Sequence, residues 1–67
     1  MRYREVVRIL KKNGWYICDV SGSHVQFLHP VKKGRVTVPC HNGDIKKGIL
    51  HSIETQSGIS FNDYKKR

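Results

Sequence analysis

The amino-acid sequence predicts one small α+β domain in which two helices cover one face of a three-stranded antiparallel sheet. Three observations lead to this fold class: an amphipathic pattern near each end, three β-rich segments between them, and glycine or proline residues that separate the segments. The chain has 67 residues. We therefore expect a single domain over residues 1–67, without room for a deep substrate cavity or a large cofactor.

The first amphipathic pattern predicts a helix that begins near Tyr3. Apolar side chains recur at positions 3, 6, 7 and 10, which is the spacing of one helix face, and basic side chains occupy most of the other face. We expect this helix to end at Asn13 and Gly14, because glycine adopts the left-handed conformation of helix C-caps at little cost. Lys11 and Lys12 also suit the negative end of the helix dipole.

Three segments rich in β-branched and aromatic residues follow the first helix. They comprise residues 15–20, 24–29 and 35–38, and the short connections between them predict an antiparallel meander. Alternation along the last two segments predicts a core-facing set of side chains: Val25, Phe27, Val36 and Val38. The same alternation predicts a set on the opposite face of the sheet: His24, Gln26, Leu28, Arg35 and Thr37.

A second, shorter amphipathic segment predicts the last helix, with Ile49, Leu50 and Ile53 on its apolar side and Gly58 at its end. We expect residues 44–47 to form a turn and the helix to begin at Gly48, since a glycine inside a helix costs about 1 kcal/mol. Ser60 is expected to cap one further helical turn. The order helix, three strands, helix is the layout of a double-stranded-RNA-binding domain, in which one sheet face stays uncovered.

The charge balance predicts a polyanionic partner. The chain carries 13 Lys and Arg residues against 5 Asp and Glu residues, a formal net charge of +8. Neutralised phosphates release counterions, so nucleic acid binds such a surface without a special pocket. Lys32, Lys33 and Arg35 flank the uncovered face and are predicted to contact phosphate groups. No apolar run approaches the roughly 20 residues of a membrane span, so we expect a cytoplasmic protein.

Several kinds of catalytic site do not fit the sequence. The five acidic residues are scattered, which argues against a paired-carboxylate glycosidase and a two-metal nuclease. The histidine and cysteine spacings lack the short paired knuckles of structural zinc sites, so no metal or other cofactor is expected. We expect free thiols, with Cys18 half-buried in a strand and Cys40 in a loop.

Histidine is the remaining chemical resource, and RNA is a substrate for which one histidine suffices. RNA supplies its own nucleophile, the 2′-hydroxyl group, and an imidazole with a pKa of about 6.5 can move the required proton at neutral pH. His24 is the best-placed candidate, because it begins a strand on the uncovered face. The alternative, a histidine without a chemical role, is the interpretation that we prefer for His29 and His51.

A combination of short motifs resembles the HicA family, small bacterial and archaeal toxins of type II toxin–antitoxin modules. In chain order the motifs are Gly22-Ser23-His24, Phe27, His29-Pro30, Thr37-Val38-Pro39 with His41, and Gly48-x-Leu50-x-x-Ile53-x-x-Gln56-x-Gly58. The resemblance spans roughly Tyr3 to Gly58. One departure is Ile49, which stands where the family commonly carries threonine after the glycine that opens the second helix.

The resemblance implies a fold like that of double-stranded-RNA-binding domains, used to cleave mRNA, with His24 as the catalytic residue. It also implies a HicB-type antitoxin that covers the active face. The predicted RNA contacts are Ser23, Lys32, Lys33, Arg35, Thr37 and His41. The sequence thus predicts a metal-independent endoribonuclease that acts on single-stranded mRNA. Two alternatives remain open: a non-catalytic RNA-binding module, and a pure protein-interaction partner for an acidic regulator.

Overall fold

The predicted order of helices and strands is confirmed by a computed structural model, which describes residues 1–40 and 43–61. The elements are α1 (Tyr3–Lys12), β1 (Tyr16–Ser21), β2 (His24–Leu28), β3 (Val36–Pro39) and α2 (Lys47–Ser57). The three strands form one antiparallel sheet in the order β1-β2-β3, with β2 in the centre. This is the α+β arrangement of double-stranded-RNA-binding domains.

One face of the sheet is buried beneath the helices. All four side chains that alternation assigned to the core are confirmed as buried: Val25, Phe27, Val36 and Val38. The side chains packed with them in one cluster come from α1, α2 and the segments that flank them: Val6, Ile9, Leu10, Trp15, Ile45, Ile53, Ile59 and Phe61. Burial of this apolar area is the main favourable term for so small a domain.

Polar groups at the two ends of α1 explain its boundaries. A Glu5 carboxylate oxygen accepts a hydrogen bond of 2.8 Å from the backbone N–H of Arg2, at the N-terminal end where helix amide groups lack partners. At the other end, the side-chain amide of Asn13 donates to the carbonyl of Ile9 over 2.8 Å. The helix therefore ends at Asn13 as predicted, since this bond satisfies one of its last carbonyl groups.

Helix α2 begins at Lys47, one residue earlier than predicted, and ends at Gly58, which has a φ of 75°. The first turn of a helix contains amide groups without intrahelical partners in any case. Gly48 therefore lies in the turn where its weak helix propensity matters least. Before α2, the backbone N–H of Ile45 donates to the carbonyl of Met1 over 2.9 Å, which joins this segment to the start of α1.

Strand β1 differs most from the prediction. Trp15 is buried just before the strand rather than within it. Cys18, predicted to be half-buried, is exposed. It lies where the pairing of β1 with β2 is irregular, between Ile17 and Asp19, and in a strand whose residues are all exposed. A bulge of this kind takes one residue out of the regular ladder.

Other predicted boundaries move by a residue or two. Strand β2 ends at Leu28 and β3 begins at Val36, so the predicted strand residues His29 and Arg35 lie in the connection between them. The helical turn that Ser60 was predicted to cap stays a prediction. Ser60 lies outside any helix, as a capping residue does, and Phe61 is in a turn, whereas residues 62 and 63 lie outside the described residues.

His29 ties two connections of the fold together. Its Nδ1 atom accepts hydrogen bonds from the backbone N–H groups of Val31 and Lys32, over 3.0 and 3.1 Å. An atom that accepts two such bonds carries no proton, so Nε2 carries it and donates to the Asn13 carbonyl over 3.0 Å. The ring also packs edge-on against Trp15, with 5.2 Å between ring centroids. His29 therefore has a structural role.

Replacement of Gly14 by alanine is expected to destabilise the fold more than the same change at Gly34. Both glycines have a positive φ, 95° and 88°, so alanine is strained at either position. Only at residue 14 would the new Cβ lie 2.7 Å from His29 Nε2, whereas at residue 34 it would meet nothing within 4 Å. His29 cannot move away without losing its hydrogen bonds.

Urea denaturation measures the difference between these two variants. We expect Gly34→Ala to lower the free energy of unfolding by about 1 kcal/mol, from backbone strain alone. Gly14→Ala should lower it by about 1–2 kcal/mol more, since hydrogen bonds contribute about 1 kcal/mol each. Equal losses of unfolding free energy in the two variants would show that His29 is free to shift and does not hold the two connections together.

Candidate functional site

The sheet face that points away from the helices carries a set of exposed and half-buried side chains, most of them polar. Residues directly opposite each other in antiparallel strands project from the same face, so the strand register identifies the members of the set. We call this surface the open face, and its members are Tyr16, Asp19 and Ser21 of β1, His24, Gln26 and Leu28 of β2, and Thr37 of β3. Arg35, beside β3, joins it through a hydrogen bond to Gln26.

His24 is exposed at the point where β2 begins. It follows a two-residue turn whose first member, Gly22, has a φ of 60°, a conformation that glycine adopts without strain. His24 lies opposite Ser21 of β1 and Pro39 of β3. Its ring makes no hydrogen bond with another residue in the described part of the chain. Both ring nitrogens are therefore open to an incoming substrate.

Gln26, two residues beyond His24 in β2, binds a charged side chain. The Arg35 guanidinium donates a hydrogen bond of 2.6 Å from Nη1 to the side-chain oxygen of Gln26. Gln26 is itself opposite Asp19 on one side and Thr37 on the other. The backbone N–H of Thr37 donates to the side chain of Gln56 over 3.1 Å, so α2 covers part of the outer edge of β3.

The predicted RNA contacts lie in different places. Ser23 is exposed in the turn beside His24, and Arg35 and Thr37 are on the open face. Lys33 is exposed in the connection between β2 and β3. The Lys32 ammonium group instead donates to the Ser57 carbonyl over 3.2 Å, at the C-terminal end of α2. His41 lies outside the described residues.

The carboxylates near the helices are occupied by groups other than lysine and arginine side chains. Glu5 accepts from a backbone N–H group, and Glu54 accepts from the backbone N–H of Phe61 over 2.8 Å. Asp44 lies 3.8 Å from the N-terminal ammonium group. Among residues 1–40 and 43–61, no lysine or arginine side chain forms an ion pair with a carboxylate. The basic charge is thus left available to an external anion.

The three open-face residues of β1 were not identified from the sequence: Tyr16, Asp19 and Ser21. The signal that finds them is the register of β1 against β2, which pairs Tyr16 with Leu28 and Asp19 with Gln26. Simple alternation along β1 puts Tyr16 and Asp19 on opposite faces, because they are three residues apart. The bulge between Ile17 and Asp19 reverses that assignment.

The end of β3 beside His24 is anchored to α1. Burial raises the pKa of the Tyr3 phenol above its usual 10.0, and the neighbouring Cys40 raises it further, in part through a side-chain hydrogen bond. The backbone N–H of Cys40 also donates to the Ser23 carbonyl. These contacts tie Ser23, the residue before His24, to Cys40, and they tie Cys40 to Tyr3 of α1.

A metal-binding cluster and a membrane-spanning helix are both absent from the described residues. No group of three or more histidine, cysteine, aspartate or glutamate side chains there could hold a metal ion. Within the same residues, neither helix has the length and apolar character needed to cross a membrane.

The order of the helices and the three-stranded antiparallel sheet give this small domain the fold of double-stranded-RNA-binding domains. Comparison with protein families identifies it further. A family model described as the HicA toxin of bacterial toxin–antitoxin systems matches residues 3–59. The chain therefore belongs to the HicA family, whose members are toxins paired with an antitoxin. Comparison with curated proteins finds no match.

Ile49 is the position where this chain departs from the threonine that the family commonly carries. Its side chain is half-buried and packs against the hydrophobic core. The methyl and ethyl groups of isoleucine thus add apolar contact area in the first half of α2, where a threonine hydroxyl would offer a hydrogen-bonding group.

Alanine at His24 is expected to leave the stability almost unchanged, whereas alanine at His29 is expected to lower it. His24 is exposed and makes no hydrogen bond in the described part of the chain, so His24→Ala should change the free energy of unfolding by less than about 0.5 kcal/mol. His29→Ala removes three hydrogen bonds and a ring contact and should cost about 2–3 kcal/mol. Thermal and urea unfolding of both variants checks this, and a destabilised His24→Ala protein would contradict it.

Proposed function

We propose that this HicA-family toxin is a metal-independent endoribonuclease that cleaves single-stranded mRNA and thereby arrests translation, with His24 as its catalytic residue. The observation that carries the proposal is the setting of His24. Among the described residues, its exposed imidazole has no hydrogen-bond partner, and the basic side chains that border its sheet face, Lys33 and Arg35, form no ion pair with a carboxylate.

The proposed reaction uses the 2′-hydroxyl group of the RNA as the nucleophile. His24 takes the proton of that hydroxyl, and the oxygen attacks the adjacent phosphorus atom. A bond forms between phosphorus and the 2′-oxygen while the bond to the 5′-oxygen of the next nucleotide breaks. The leaving oxygen receives a proton from solvent or from the protonated imidazole, so the products are a 2′,3′-cyclic phosphate and a 5′-hydroxyl end.

Neighbouring side chains can hold the phosphate during this step. The Arg35 guanidinium keeps N–H groups beyond the one bonded to Gln26, and these can offset negative charge that develops on phosphate oxygens. The hydroxyl groups of Ser23 and Thr37 and the ammonium group of Lys33 are further proposed contacts. Lys32 is the weakest member of the predicted set, because the Ser57 carbonyl already accepts from its ammonium group. His41 stays a prediction.

Family membership implies an antitoxin partner, and we propose that this partner is of the HicB type. A protein that covers the open face would block access of RNA to His24. An acidic surface suits this role, because the chain has a formal net charge of +8 and its described lysine and arginine side chains lack carboxylate partners. The site of action is proposed to be the cytoplasm, where mRNA is found.

The test is cleavage of a labelled single-stranded RNA by the purified toxin in excess EDTA. We expect the wild-type chain to cleave and His24→Ala to lose at least about 100-fold in rate, the usual contribution of a general base. His51→Ala is the matched control, because His51 is another exposed histidine, with an 81% exposed side chain on α2. It should cleave at the wild-type rate.

A second substrate tests the proposed chemistry. An RNA with a single 2′-deoxynucleotide at a mapped cleavage site should be resistant at that site, because the nucleophile is missing. Cleavage there, or full activity of His24→Ala, would refute the proposed mechanism.

The second candidate function is a non-catalytic RNA-binding module. The observation in its favour is that no described side chain forms a hydrogen bond that would orient the His24 ring, whereas catalytic bases are often oriented by a third group. This candidate predicts RNA binding without cleavage in wild type. Binding alone, in both wild type and His24→Ala, would favour it over the endoribonuclease.

A further inference from the structure

We infer that the open face contains a recognition site for one guanine base of single-stranded RNA, formed by Tyr16, Asp19 and Gln26. Tyr16 provides a surface on which the base stacks, and the other two side chains bind the edge of the base. The inference rests on the proposed function in one respect, since it takes RNA as the molecule that occupies this face.

Tyr16 is a large aromatic side chain that remains 47% exposed on a sheet face. It lies opposite Leu28, and its ring makes no aromatic contact with another described residue. Exposed aromatic rings on a sheet are the usual stacking surfaces for unpaired RNA bases, because every base offers a flat π-face. The ring is therefore placed to receive a base.

The bulge in β1 brings Asp19 to the same face as Tyr16. Without the bulge, alternation would turn Asp19 towards the helix side of the sheet. The pairing of β1 with β2 is irregular only between Ile17 and Asp19 among the described residues. Asp19 is exposed and has no hydrogen-bond or ion-pair partner among the described residues. The irregularity in the strand therefore places an unpaired carboxylate on the open face, opposite Gln26.

A carboxylate in this position is unsuited to phosphate, which it repels, but it suits the donor groups of a base. Ionised Asp19 offers two acceptor oxygens and no donor. Guanine has two adjacent donors on its Watson–Crick edge, N1–H and the 2-amino group. Adenine and cytosine have one amino group beside an acceptor, and uracil has one N–H between two acceptors. Only guanine can donate to both oxygens side by side.

Gln26 completes the match. It lies directly opposite Asp19, and its side-chain oxygen accepts from Arg35, which leaves its NH₂ group as the donor available to a ligand. Guanine carries an acceptor, O6, next to N1–H. One donor from Gln26 and two acceptors from Asp19 therefore reproduce the pattern by which cytosine pairs with guanine.

The spacing along the strands fits one nucleotide beside the cleavage site. Gln26 is two residues from His24, about 7 Å along β2 at the rise of an antiparallel strand. Tyr16 lies opposite Leu28, one further two-residue step of about 7 Å. A base stacked on Tyr16 can thus extend its edge towards Asp19 and Gln26 while the chain of nucleotides continues to His24.

Binding measurements in the His24→Ala background test the inference without cleavage of the probe. The probes are two fluorescein-labelled hexauridine RNAs in which one internal uridine is replaced by guanosine or by inosine. Inosine differs from guanosine only by the missing 2-amino group. We expect the guanosine RNA to bind about tenfold more tightly, in the range of a good bidentate base contact.

Three variants in the same background identify the residues. Asp19→Asn should bring the ratio of the two affinities close to one, whatever its effect on overall affinity. Tyr16→Leu should weaken binding of both RNAs about tenfold, and Tyr16→Phe should restore it. Val20→Thr is the control, because Val20 neighbours Asp19 in β1, is 60% exposed and pairs with the core-facing Val25. It should bind as the parent does.

The outcomes separate this inference from the proposed function. Equal affinity for the two RNAs, a guanosine preference that survives Asp19→Asn, or no RNA binding at all would overturn the recognition site, and the last result would leave the face to a protein partner. A guanosine preference that depends on Asp19, in a chain that cleaves no RNA with His24 intact, would refute the endoribonuclease and support the recognition site. Cleavage of RNA without a preference for guanosine in binding would support the endoribonuclease and refute the recognition site.

Discussion

The structure depends on burial of one side of the central strand. Val25 and Phe27 are packed beneath the two helices, and neither can be exposed without loss of the core. Because side chains of a strand alternate between its faces, this burial forces His24 and Gln26 to the opposite side. A shift of one residue in register would exchange the two sets. The stability of the core and the position of the candidate catalytic residue therefore have the same physical origin.

The two histidines at the ends of β2 show how the same side chain acquires different roles. His29 is held by three hydrogen bonds and a ring contact, so it joins two connections of the fold and has no free nitrogen. His24 has no such partner in the described structure. The carboxylates follow a similar division, since Glu5 and Glu54 bind backbone N–H groups and leave the basic side chains to other partners.

Strand β1 adds an aromatic ring and a carboxylate to the open face. It lies at the edge of the sheet, and neither of the two described helices buries it, so its aromatic and apolar side chains stay exposed. Exposed edge strands are a liability for a small protein, and bulges and charged residues are common protections against unwanted pairing. Here the bulge and Asp19 occur together. The same irregularity adds a carboxylate to the face that carries His24.

Sequence patterns alone determined the order of the elements, the four core positions of β2 and β3, the end of α1 at Asn13 and the end of α2 at Gly58. They succeeded because the periods of a helix and a strand, and the conformational freedom of glycine, are local properties. Only the tertiary structure decided the faces of Tyr16 and Asp19, the exposure of Cys18, and the contact of Lys32 with the end of α2. A bulge appears only in the pairing with a second strand, and Lys32 and Ser57 are 25 residues apart along the chain, so no local pattern records either feature.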